Sequence, residues 1–211
     1  MRVCFTKKYA SRFMSHLDLM RMMMHALRRA HIPVKLTQGF NPHLRLVFSI
    51  PLPLGIASDC EFLDMDLDRD MEPEEIRRNL AENMPMGIEI PEVYQPDSSL
   101  NDIAYASYRL EIPAHLSENV LKFLSQDSIP VQKKGKKGKI RDLDLKEDFS
   151  MKSVRNEDGS SVITVRLPCG SERNVGINLL LDAFYSAAGQ DEHDIRATRV
   201  GFETADGTPF R

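Results

Sequence analysis

The side chains best equipped for chemistry gather near the N-terminus. Arg12, His16, Arg21, Arg28 and Arg29 are followed by the polar turn Gln38-Gly39-Phe40-Asn41-Pro42-His43 and by Arg45. Arginine forks and the free N–H groups of a helix start suit phosphate oxygens, and the amides of Gln38 and Asn41 can read a base edge or a ribose hydroxyl. The plainer alternative is that Arg21 and Arg28 solvate a helix while Asn41-Pro42 makes a turn. His16 and His43 are candidates for a general acid and base in metal-free RNA cleavage, because imidazole titrates at about pH 6.5. A capping or packed histidine is the competing role. His16, Asp18 and His43 match no recognised ligand spacing, so neither a metal site nor a cofactor is expected.

A second cationic focus, Lys133, Lys134, Lys136, Lys137 and Lys139, is punctuated by Gly135 and Gly138. It suits a phosphate backbone but lacks the Gly-x-x-x-x-Gly-Lys-Ser/Thr pattern of a nucleotide loop. Solvated lysines are the alternative. Asp64, Asp66 and Asp68 recur on one face of a strand, which reads as an edge protected by charge rather than a cation site. Cys4, Cys60 and Cys169 are odd in number and scattered, fitting neither a disulfide framework nor a Cys-x-x-Cys clamp, and none sits in a nucleophile setting.

The formal net charge of −3 hides a polarised chain: residues 1–50 sum to +8 with Asp18 as the single acid, and residues 51–104 sum to −11. Basic foci on an otherwise acidic chain favour localised anion binding over nonspecific polycation behaviour. The 211 residues, 42% of them hydrophobic, are ordinary globular composition and allow two domains of about 100 residues each. No segment approaches the roughly 20 apolar residues of a membrane span, and the sequence after Met1 lacks a secretory apolar region. A cytoplasmic protein is expected. Eleven methionines and no tryptophan, with Met20, Met22, Met23 and Met24 together, imply adaptable packing around the first helix.

The elements that must position these groups follow from periodicity. Residues 3–7 read as a strand, and Ser15 with Asp18 three residues later opens a helix running to about residue 30. Its apolar positions are read as Leu17, Met20, Met24 and Leu27, with Arg21, His25 and Arg28 on another face. A hairpin of residues 34–37 and 44–50, an extended Pro51-Leu52-Pro53-Leu54-Gly55 turn, an edge-type strand over 61–67, a helix opened by Glu72-Pro73 and a strand over 87–93 complete a first set. Residues 95–102 have linker chemistry, and the same order then repeats. The expected fold is α+β, with two ferredoxin-like (split βαβ) lobes in tandem: 1–95, a linker over 96–103, and 104–211 carrying the Lys/Gly-rich loop.

Three uncommon strings occur in order: Arg12-Phe13-Met14-Ser15-His16-Leu17-Asp18-Leu19-Met20-Arg21, Gln38-Gly39-Phe40-Asn41-Pro42-His43, and Pro51-Leu52-Pro53-Leu54-Gly55 with Ser58 after it. They closely resemble the bacterial radical-SAM-linked protein family of unknown function, most strongly over residues 1–95. The resemblance implies a domain found alone or joined to the C-terminus of radical-SAM proteins, often encoded beside an RNA-processing nuclease and ribosomal proteins. The chain lacks the Cys-x-x-x-Cys-x-x-Cys string that holds a radical-SAM cluster, so it is not expected to be the radical subunit. The leading expectation is an RNA-binding accessory that presents tRNA or another structured RNA to a radical-SAM partner. A metal-free endoribonuclease or other RNA-directed enzyme using His16, and a protein-binding adaptor, stand as alternatives.

Overall fold

A computed structural model describes residues 1–134, 140–157, 160–170, 173–189 and 194–211. The fold is mixed α+β, and the chain divides into two compact units, residues 1–102 with Arg211, and residues 103–210.

The first unit comprises β1 (Arg2–Lys7), α1 (His16–Arg29), β2 (Leu46–Phe48), β3 (Ala57–Met65), α2 (Pro73–Ala81) and β4 (Glu92–Tyr94). All pairings are antiparallel: β1 lies between β4 and β3, and β2 pairs with β3. Period-two alternation sends Val3 and Phe5 of β1, and Leu63 and Met65 of β3, into one core with Leu19, Met23, Ala26 and Leu27 of α1 and Ile76 and Leu80 of α2. Ser15 caps α1 as its sequence implies: its Oγ accepts from the Asp18 N–H at 3.2 Å and donates to Asp18 Oδ2 at 2.6 Å. Pro73 stands in the first turn of α2 beside Glu74 and Glu75, where acids complement the helix dipole.

Two expectations require correction here. The buried face of α1 is Leu19, Met23, Ala26 and Leu27, while Leu17 is exposed and Met20 and Met24 are only partly covered. So many of the residues on this helix are apolar that two stripes satisfy the helical period, and packing selects the one continuous with Ala30 and Ile32. The acidic strand is not an edge either, since β3 has β1 on one side and β2 on the other over Leu63–Met65. Its charge is balanced from distant sequence. The Arg2 guanidinium, fully buried, donates to both Asp64 oxygens at 2.7 and 2.8 Å, and Arg45 pairs with Asp66 at 3.0 Å.

The second unit comprises β5 (Tyr105–Ile112), α3 (Ala114–Leu124), β6 (Pro130–Lys134), β7 (Ile140–Asp144), β8 (Ser150–Glu157), β9 (Ser160–Pro168), α4 (Ile177–Ala188) and β10 (Arg196–Glu203). Strands β10, β5, β9 and β8 run in that order, all antiparallel, while β6 and β7 form a separate hairpin. Leu110 faces Ile163 and Tyr108 faces Val165 across the central pair, and Phe123 of α3 meets Phe184 of α4 edge-on at 5.7 Å.

Candidate functional site

Helix α1 turns its basic residues outward. Because Leu19, Met23, Ala26 and Leu27 are buried, the helical period places Leu17, Arg21, His25 and Arg28 together on the opposite, exposed side. Arg21 makes one long contact to Asp18, 3.6 Å, with both groups largely in solvent. Such a pair is worth little and does not neutralise the fork for another anion. Arg28 has no side-chain partner among the described residues. Arg29 is committed elsewhere, donating to the Asn83 side chain at 3.3 Å and to its carbonyl at 2.8 Å, which ties the end of α1 to the segment after α2.

Arg12 precedes the helix in a short 3-10 turn, Tyr9–Phe13. Its guanidinium carbon stands 4.7 Å from the Phe13 ring centroid, and its buried Nε has no hydrogen-bond partner among the described residues. The carbonyl of Arg12 accepts from Gly55 N–H at 3.0 Å, so the proline-rich turn is latched to the basic segment.

His16 points elsewhere. It lines a small cavity, about 10 Å³, with Phe5, Lys7, Leu19, Phe48, Ser49, Pro51, Leu52 and Glu61, and its ring meets Phe48 edge-on at 5.7 Å. That volume holds about one water and excludes a nucleotide. Lys7 and Glu61 are both buried there, Lys7 donating from Nζ to the Met14 carbonyl at 2.7 Å and Glu61 lying 3.5 Å from Ser49 Oγ. Neither was singled out from the sequence. The available signal was phase: Lys7 follows Val3 and Phe5, and Glu61 precedes Leu63 and Met65, at the same two-residue spacing as the core positions of their strands.

The turn of residues 38–43 is exposed, and its contacts are local. His43 Nδ1 lies 3.1 Å from Thr37 Oγ1 and 3.3 Å from the Asn41 carbonyl, and Thr37 N–H donates to the His43 carbonyl at 2.8 Å. Gln38, Asn41 and His43 therefore sit on a solvent-facing turn, and neither Asn41 nor His43 is among the walls of the His16 cavity. Arg45, beyond the turn, is held by Asp66. Among the described residues, no group of three or more His, Cys, Asp or Glu side chains is placed to hold a metal ion.

In the second unit, Lys133 donates from Nζ to the Asn174 carbonyl at 2.6 Å. Lys134 closes β6, but its side chain, and all of Lys136, Lys137 and Lys139, lie outside the described residues. On the sheet, buried Glu203 gathers Lys152 and Arg166, and Arg166 stacks 3.7 Å from the Tyr105 ring centroid. These cations are internally compensated.

A mixed α+β protein whose first unit carries an exposed basic helix is thus the class defined by fold and surface. The chain belongs to the DUF2344 family, described as an uncharacterized protein conserved in bacteria, whose profile matches residues 1–176. This is the radical-SAM-linked family that its three strings resemble. No curated protein matches the chain. Among solved structures, an unknown protein from Galdieria sulphuraria is similar at 10% identity over 94% of this chain and 96% of that one, with a TM-score of 0.25.

Proposed function

We propose that the protein is a cytoplasmic, non-catalytic RNA-binding accessory that holds tRNA or another structured RNA for a radical-SAM partner. The observation that carries this reading is the outer face of α1, where Arg21 and Arg28 stand in solvent, one weakly paired and one without a partner among the described residues, within the first fifty residues, which sum to +8. Forks left open in this way favour phosphate, which offers paired oxygens to a planar guanidinium. Family membership supports the radical-SAM connection, and among the described residues no helix is long and apolar enough to cross a membrane.

The architecture that goes with this reading is a pair of ferredoxin-like lobes, 1–95 and 104–211, joined by 96–103. Strand orders β4-β1-β3-β2 in the first unit and β10-β5-β9-β8 in the second, each interrupted by two helices, support it. The second lobe carries β6 and β7 as an inserted hairpin whose connecting lysines add a further phosphate contact in this reading.

The experiment is retention of cellular RNA by the purified protein with and without EDTA. Intact bound RNA agrees with the proposal, metal-independent cleavage replaces it with the nuclease reading, and no retention replaces it with the adaptor reading.

A further inference from the structure

We infer that the first unit takes an unpaired stretch of that structured RNA, with its bases stacked on Tyr9 and Phe13 beside Arg12. The inference rests on the RNA reading above and specifies the form of the ligand.

Three chain segments are bound together at this place. Lys8 N–H donates to the Gly87 carbonyl at 2.7 Å, Ser11 Oγ donates to the Met86 carbonyl at 2.9 Å, and Gly55 N–H donates to the Arg12 carbonyl at 3.0 Å. The clamp is tight: a Cβ on Gly87, whose φ is +91°, would stand 2.5 Å from the Lys8 carbonyl oxygen. Each segment nevertheless presents a large apolar side chain to solvent, with Tyr9 73%, Phe13 62%, Leu54 59% and Met86 88% exposed. Rigid backbone combined with apolar groups left in water marks a surface made for contact rather than a loose loop.

Its charge indicates what kind of contact. Arg12 covers the Phe13 ring, and its buried Nε has no acceptor among the described residues. A base stacked on the free side of Phe13 would bring carbonyl and phosphate oxygens alongside that guanidinium. From Phe13 the chain passes through Met14 and Ser15 straight into α1, so the rings are followed along the chain by Leu17, Arg21 and Arg28 on the outer face. Rings first and phosphate forks after them are the parts of a single-strand track. A duplex buries its base faces in its own stack and would leave Tyr9 and Phe13 unused.

The test compares a labelled oligouridine with a blunt-ended RNA duplex of the same phosphate count, by fluorescence anisotropy on the full chain. The wild type is expected to prefer the oligouridine. Phe13→Ala and Tyr9→Ala should each weaken it about tenfold or more, a scale typical of base–aromatic stacking, and leave duplex affinity unchanged. Because the chain has no tryptophan, Phe13→Trp supplies a single reporter that should keep the affinity and be quenched by oligouridine, which keeps the inference testable if an alanine variant folds poorly. Unchanged oligouridine affinity in folded alanine variants, together with loss in Arg21→Glu/Arg28→Glu, would overturn the stacking inference while leaving RNA binding intact. Failure of the wild type to bind either RNA would overturn RNA binding itself. Ring variants that bind RNA normally but disperse a protein complex would assign the patch to a protein partner and overturn the inference.

Discussion

His16 illustrates how one residue can answer to two environments. It lies in the first turn of α1, where free N–H groups favour an anion, yet its ring packs edge-on against Phe48 above buried Lys7 and Glu61. An aromatic edge contact of this kind contributes about 0.5–1.5 kcal/mol. His16→Ala should therefore lower the melting temperature by about 2–4 °C, seen by calorimetry, while RNA affinity stays within twofold. Lost affinity at an unchanged melting temperature would return His16 to the interface. The thiols give a second prediction at this scale. Burial pushes Cys4 up to about 11 and Cys169 up to about 12, and burial likewise raises Tyr94 to about 12. Unfolded thiols ionise at about 8.5, so the folded state holds these protons while the unfolded state sheds them. Stability is then full below about pH 8.5 and declines as pH rises through 11 and 12. Alkaline denaturation followed by circular dichroism should show this, and Cys4 and Cys169 should resist iodoacetamide at pH 7.5 until denaturant is added. Rapid labelling of Cys169 in the native protein would contradict its burial.

At the scale of elements, α1 is both a core helix and the exposed basic surface, and these roles are set by its rotation. Its start was legible, because Ser15 followed by Asp18 leaves little choice of N-cap. Its rotation was not, because Leu17, Met20 and Met24 satisfy the helical period as well as Leu19, Met23 and Leu27 do, and only tertiary packing against Phe5 and Leu63 distinguishes them. The strand signals had a similar limit. Alternation found β3 but placed it over 61–67 rather than Ala57–Met65, and its acids looked like edge protection because the compensating cation, Arg2, is sixty-two residues away in sequence. Lys7 and Glu61 were invisible for the same reason: a charge is read as solvated until its neighbours in space are known. Clamping of the 3-10 turn yields a prediction for this scale. Gly87→Ala, with positive φ and a carbonyl 2.5 Å from the new Cβ, should destabilise the fold markedly more than Gly207→Ala, where φ is also positive but nothing lies within 4 Å. Equal melting temperatures for the two variants would contradict the clamp.

For the molecule as a whole, charge placement links stability to function. The basic excess of residues 1–50 is divided between cations consumed by the fold and cations left open. Arg2 is consumed: fully buried, it serves Asp64, the side chain and carbonyl of Ser98, and the Arg211 carbonyl at 2.7–3.1 Å. Arg2→Ala would strand the Asp64 carboxylate and should cost about 3–5 kcal/mol in urea denaturation. Arg21 and Arg28 remain open, and they are the phosphate contacts of the proposed function. The most direct measurement is the salt dependence of RNA affinity for the wild type and for Arg21→Glu/Arg28→Glu. Engagement of about four phosphates by the wild type should give a log–log slope near −3 on single-stranded RNA. The variant should bind more weakly and show a distinctly shallower slope, because fewer counterions are released. Equal slopes and equal affinities in the two proteins would contradict the claim that the outer face of α1 binds the RNA backbone.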